Sequence, residues 1–174
     1  MIETNINQIL ETYARTLPRF PDGRIDYSSS DSAPILSCIV TLRGKVLILK
    51  RSDQVSHYQG LWDVVIGYLD DFTPLPEKAL EELYEETGIA KENVSEIMVA
   101  EPYESSDAEL QKTWFVHPVL VELEEEPEIT LDWEHTEFCW IDPEEVANYE
   151  TFSELPEVLG RVLHKRTCRC GKPA

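Results

Sequence analysis

The chain has 174 residues and a formal net charge of −19, from 34 acidic side chains against 15 Lys and Arg, with an ordinary hydrophobic fraction of 42%. That length supports one domain with a substantial core. The charge disfavours nucleic-acid polymers and anionic membranes as partners, yet leaves room for a small phosphorylated substrate, because bound cations would invert the local potential.

The start, MIETNINQ, is polar and lacks the basic-then-apolar pattern of a targeting segment. Apolar runs at 35–42 and 46–49 are strand-length, far short of a spanning helix. A cytoplasmic location is therefore expected. Ile6, Ile9, Leu10, Tyr13 and Leu17 have helical spacing, with Thr4 as N-cap candidate. Residues 18–33 form a polar loop containing SSSDS. Two strands, 35–42 and 45–50, flank Arg43-Gly44 as a hairpin candidate. Residues 62–66 suggest a short strand, and 76–87 a helix. Further strands are expected at 94–100, 113–123 and 138–141, with a short one at 129–133. Asp142-Pro143-Glu144-Glu145 has the pattern of a capping box with proline at the first helical position. Ser153 caps a last helix to about residue 165. These elements alone imply an α/β or α+β fold. Cys38 and Cys139 lie in strand-like runs and read as small buried hydrophobes. Cys168-x-Cys170 with His164 offers too few ligands for a structural zinc, so a frayed tail is expected there.

The helix at 76–87 carries the chemistry. Glu82, Glu85 and Glu86 stand at i, i+3 and i+4 and share a face, beside an apolar stripe of Ala79, Leu80 and Leu83. Gly88 stops the helix. Between Glu77 and Glu86 only Lys78 opposes the glutamates. Like-charge pairs at i,i+4 (Glu77/Glu81, Glu81/Glu85, Glu82/Glu86) should each cost roughly 0.2–0.5 kcal/mol. A hard divalent cation such as Mg²⁺ would account for such crowding; a solvated acidic face is the alternative.

Residues 67–89, GYLDDFTPLPEKALEELYEETGI, resemble the Nudix box, G-x5-E-x7-R-E-U-x-E-E-x-G-U with U aliphatic. Gly67, Glu82, Leu83, Glu85, Glu86, Gly88 and Ile89 fall at the family spacing, while Thr73 replaces the first glutamate and Glu81 the arginine. KVLILKRS at 45–52, Gly60-Leu61-Trp62 and 134–140 also look like family segments. The resemblance implies a mixed β-sheet sandwiched between helices. It divides the chain into an N-terminal helix and loop (1–33), a Nudix domain (34–165) and a tail (166–174). It further implies hydrolysis of a diphosphate linked to another group, with Glu82, Glu85 and Glu86 holding Mg²⁺ or Mn²⁺. Glu82 would also handle the attacking water, and Glu134 would be a further ligand or base. Arg51, Gly67 and Tyr68 are the substrate-side candidates: Arg51 for a phosphate, Gly67 for close backbone approach, Tyr68 for stacking on a base. Trp62, Phe72 and Tyr103 share that last expectation, with core packing as the alternative for each. The implied partner is a small-molecule diphosphate, and the N-terminal helix packs either on its own domain or on a second subunit. An isopentenyl-diphosphate-isomerase-like enzyme, which often needs a cysteine, and a non-catalytic Nudix binding module are the alternative readings.

Overall fold

The structure is a computed structural model and describes residues 2–151 and 155–169. The order is α1 (Ile2–Thr16), β1 (Ser32–Leu42), β2 (Lys45–Arg51), β3 (Trp62–Asp63), β4 (Val65–Tyr68), α2 (Leu75–Thr87), β5 (Val94–Val99), β6 (Tyr103–Asp107), β7 (Lys112–Leu123), β8 (His135–Ile141) and α3 (Leu155–Arg169). Short 3₁₀ turns fill Lys91–Asn93 and Pro143–Asn148. Among the described residues no helix is long and apolar enough to cross a membrane.

One mixed sheet organises the molecule. Its spine is the parallel pairing of β1 with β7, from Ser32↔Thr113 to Thr41↔Glu122; among the described residues the other strand-to-strand pairings are antiparallel. Parallel strands need a long crossover, and here the crossover contains the glutamate helix. Residues of β1 alternate between two apolar layers. Leu36, Cys38 and Val40 join Leu83 of α2 and Ile6 and Leu10 of α1 on one side. Ile39 joins Leu155, Val158 and Val162 of α3 on the other. The sheet is thus sandwiched between helices, as the family resemblance implied.

Several elements agree closely with the sequence. The β1–β2 turn has Arg43 at φ 52 and Gly44 at φ 85, the pair of left-handed residues a two-residue hairpin demands. Asp142 and Glu145 form their capping box, with the Asp142 N–H donating to Glu145 Oε2 at 3.0 Å, although the turn that follows is 3₁₀.

Others differ for identifiable reasons. Helix α1 begins at Ile2, so Thr4 lies within it. The polar loop at 18–33 is tied down: Ile25 and Tyr27 are buried, and the Ile25 N–H donates to the Asp70 carbonyl at 2.7 Å. The expected 62–66 strand is split at Val64, because β3 pairs with β2 and β4 with β1. Residues 129–133 form no strand. Their N–H groups are used on the last carbonyls of α2 instead, Thr130 to Thr87 at 2.8 Å and Asp132 to Glu86 at 3.2 Å. Strand β6, YESSD, is absent from the sequence reading because it has no apolar alternation. Ser153 and Cys170 lie outside the described residues, as does the side chain of Cys168.

Candidate active site

The segment 67–89 forms a strand end, a loop and a helix over one layer of the sheet. Asp71 Oδ1 accepts from the Thr73 N–H at 2.7 Å, an Asx turn that leads into Pro74 and α2. At the other end Gly88 takes φ 70 and its N–H caps the Tyr84 carbonyl at 2.8 Å. Between these ends, Leu75, Ala79 and Leu83 pack on the core. That packing fixes the rotation of α2, which turns Lys78, Glu82 and Glu86 toward a cleft of about 1020 Å³ and leaves Glu81 exposed.

The three glutamates occupy different environments. Glu85 is exposed, the Glu82 side chain is 15% exposed and that of Glu86 only 8%. Burial, followed by the charges of Glu82, Glu134 and Asp132, holds the Glu86 carboxyl well above the usual range. Its Oε2 has no hydrogen-bond partner. The nearest cationic candidate is His135 Nε2 at 3.7 Å, too long for a hydrogen bond. His135 is itself buried and tied through Nδ1 to Asp132 at 3.0 Å. Burial also raises Glu82, against the pull of Lys78. Glu134, half-buried on the facing wall, is raised by burial and by Asp132. Its carbonyl accepts the Ser52 N–H at 2.7 Å, which ties that wall to the loop after β2. Among the described residues no three His, Cys, Asp or Glu side chains already surround a common point as ligands would.

Gly67 has a definite reason to be glycine. A Cβ there would lie 2.3 Å from Cδ and 2.6 Å from Cγ of Glu82. The close approach at Gly67 in this structure is to the Glu82 side chain. Glu82 is confined between the Gly67 backbone and Lys78.

The glutamate face is also less naked than its sequence implies. Lys78 Nζ lies 3.0 Å from Glu82 Oε1, 3.8 Å from Asp70 Oδ1 and 4.0 Å from Glu81 Oε2. Arg24, from the segment before β1, reaches Asp70 at 3.4 Å. Burial depresses the Lys78 ammonium, but the hydrogen bond to Glu82 and the charges of Glu82, Asp70 and Asp71 outweigh it, so its pKa rises. The cleft is lined by four Lys and Arg side chains (Arg24, Arg51, Lys78 and Lys112) against nine acidic ones, Asp63, Asp70, Asp71, Glu81, Glu82, Glu85, Glu86, Asp132 and Glu134. An anionic occupant would therefore need further cations to offset the carboxylates.

The structure brings Arg51, Gly67, Tyr68, Glu82, Glu85, Glu86 and Glu134 to the same cleft. Arg51 Nε donates to the His57 carbonyl at 3.3 Å, and its charge acts on Glu134. Tyr68 is 43% exposed and stacks on Tyr27 at 5.7 Å, with Trp114 and the Lys112 ammonium nearby. Tyr103 lines the cleft with the Arg161 guanidinium 4.1 Å from its ring centroid. Trp62 and Phe72 do not: Trp62 packs edge-on against Tyr149, and Phe72 borders a small groove beside α1. Cys38 is fully buried beneath α2, where burial pushes its thiol far up, and Cys139 does not line the cleft. Neither supplies the reactive cysteine that the isomerase alternative often needs. Arg24, Asp70, Lys112, Asp132, Trp133 and His135 carry no mark of a site residue in the sequence, whereas Lys78 does, standing one turn before Glu82.

The model of the NUDIX domain family matches residues 32–161. No curated protein matches significantly. Solved structures do. An Ap4A hydrolase from C. elegans is 18% identical, with 78% of this chain and 98% of that one covered at a TM-score of 0.63. A MutT protein from Methanosarcina mazei Go1 is 23% identical over 82% and 96%, at 0.59. The NUDIX domain of Shewanella oneidensis NrtR, solved with ADP ribose, is 14% identical over 90% and 97%, at 0.65. At these identities the structures establish a shared fold. The family match, spanning most of the chain and the whole glutamate cluster, establishes the kinship: the chain belongs to the Nudix family, whose enzymes are pyrophosphohydrolases.

Proposed function

We propose that this protein hydrolyses the diphosphate linkage of a nucleoside diphosphate derivative or a related compound, using Mg²⁺ or Mn²⁺ held by Glu82, Glu85 and Glu86. One observation carries the reading: Glu86 keeps a buried carboxylate oxygen without a hydrogen-bond partner inside a cleft lined by Glu82, Glu85 and Glu134. An orphaned buried oxygen of this kind is costly unless something pairs with it. The donor set is all hard oxygen, which fits Mg²⁺ or Mn²⁺. When bound, the ion cancels charge on the phosphate oxygens and lowers the pKa of a coordinated water.

The chain's own groups supply the rest. Glu134 accepts the proton of the attacking water: its half-buried carboxylate lines the cleft with Glu82 and Glu86, and burial raises its pKa. Glu82 is the second candidate for this proton, though its Oε1 is engaged by Lys78. Arg51 meets a phosphate oxygen of the substrate, as a guanidinium does well. Tyr68, Trp114 and Lys112 form a mixed aromatic and cationic wall for the group beyond the diphosphate. Two structural relatives, an Ap4A hydrolase and a NUDIX domain holding ADP ribose, are consistent with nucleotide substrates.

The test is a panel of diphosphate compounds assayed with Mg²⁺, Mn²⁺ and EDTA. Metal-dependent release of phosphate or nucleotide is expected. Glu85→Gln and Glu86→Gln should each lower kcat by about 100-fold or more with folding intact, the scale seen when one electrostatic group of an active site is removed. Full turnover in both variants would overturn the assignment.

A further inference from the structure

The carboxylates proposed to hold a divalent cation already have one cation among them, the Lys78 ammonium. Lys78 is nearly enclosed, with a side chain only 10% exposed. A lysine normally keeps its ammonium in water and is rarely buried unless paired. Here Nζ meets Glu82 at 3.0 Å and Asp70 at 3.8 Å. The pair also has lysine on the N-terminal side of glutamate at i,i+4, the less favourable order on an exposed helix. Local helix energetics therefore do not explain it; enclosure between α2 and the 70–71 loop does.

Rotating Lys78 away would be costly. Asp70 is itself buried, and its Oδ1 has no hydrogen-bond partner. Its other oxygen is held by Arg24 at 3.4 Å, from a segment that precedes the 32–161 family match. Glu82 is equally confined, since Gly67 leaves it no more room than a missing Cβ provides. Its Oε1 is the atom that meets Lys78.

Resting on the metal reading of Glu82, Glu85 and Glu86, we propose that Lys78, tied through Asp70 to Arg24, is a resident cation that competes with the divalent metal for Glu82 and weakens metal binding until an anionic diphosphate arrives. Lys78 is a positioning residue: it holds Glu82 in place without metal and opposes a second cation on the same carboxylate. The anionic oxygens of the substrate relieve that opposition, so metal and diphosphate load together.

The experiment measures Mn²⁺ binding to the full chain without nucleotide, from the electron paramagnetic resonance signal of free Mn²⁺. Lys78→Met should bind Mn²⁺ more tightly, on the order of tenfold, as expected when a unit charge near a divalent ion is removed in a well-screened setting. Lys78→Arg should bind like the parent. The rise in melting temperature between EDTA and Mn²⁺ should be larger for Lys78→Met. The sign is decisive, because damage to the site would loosen binding while relief of repulsion tightens it. Equal or weaker binding by Lys78→Met overturns the proposal. Should that variant not fold, Asp70→Asn with Lys78→Met removes both members of the buried pair and is read the same way. If neither the parent nor Lys78→Met binds Mn²⁺, with or without an added nucleoside diphosphate, the metal reading itself fails, and the proposal falls with it.

Discussion

Replacing Gly67 with alanine isolates Glu82 without touching it. The new Cβ would sit 2.3 Å from the Glu82 carboxyl carbon and 2.5 Å from Oε1, where ordinary contact begins near 3.4 Å. The carboxylate must retreat by about 1 Å or adopt another rotamer, and it then leaves Lys78, now 3.0 Å away. Two effects oppose each other in stability. Alanine favours the strand by about 0.5–1 kcal/mol over glycine. Losing the charged contact costs about 1.5–3 kcal/mol. The net should be a loss of about 1–2 kcal/mol, or a few degrees of melting temperature for a chain of this size. Activity should suffer far more, because a misplacement of about 1 Å at a reacting group can cost about 100-fold. Steady-state kinetics on the best diphosphate substrate, alongside thermal melts, separate the two. The double variant Gly67→Ala/Glu82→Gln sharpens the test. If Gly67 acts through Glu82, the double should be no worse in kcat than Glu82→Gln alone. A Gly67→Ala protein with parental kcat would mean that the position of Glu82 is irrelevant to turnover.

Burial raises the folded-state pKa of Glu86, Glu82 and Glu134, so through these groups metal-free stability falls as pH rises from mildly acid values. Burial lowers His117 and His135, which contribute with the opposite sign in the same window, so the test is the difference in slope between the parent and a Glu86 variant. Glu82, Glu134, Asp132 and His135 are the charged groups facing Glu86, and Glu86→Gln should flatten the slope; an unchanged slope in EDTA would refute this. Deleting residues before Ala33 should lower the melting temperature sharply, because Ile6, Leu10, Ile25 and Tyr27 are buried in the core shared with α2 and each large side chain contributes about 1.5–3 kcal/mol. An unaltered melt and an unaltered mass by light scattering would show the segment to be dispensable. Glu81→Arg should be tolerated, since the side chain is 52% exposed; loss of folding or activity would show that its charge is needed.

What the sequence disclosed divides by range of interaction. The glutamate trio, the Gly88 stop, the Arg43-Gly44 hairpin and the Asp142 capping box are local patterns, and each follows from spacing alone. The pairing of β1 with β7 is long-range, and so is the meeting of Arg24 with Asp70 across 46 positions. No periodicity encodes such contacts. Residues 129–133 mislead for a related reason. They alternate like a strand, but the open carbonyls at the end of α2 take their N–H groups. The buried His135 is hidden in the same way, since a histidine next to Glu134 carries no mark of burial until the sheet and α2 enclose it.

The two departures from the box follow from the same distinction. The family pattern has a glutamate and an arginine, opposite in charge, at these two positions, whereas here Thr73 is neutral and Glu81 acidic. In space neither position is left with an isolated buried charge. The Thr73 N–H serves the Asx turn with Asp71, and Glu81 faces solvent at the edge of the cleft. The charges that cross between loop and helix are carried three positions earlier in each element, by Asp70 and Lys78. An arginine from outside the family match closes that pair. A buried pair deprived of one partner is strongly destabilising, whereas a pair relocated as a unit leaves nothing unpaired. The joint change at Thr73 and Glu81 is therefore compatible with an intact box, because the loop and the helix remain linked by opposite charges drawn from neighbouring positions.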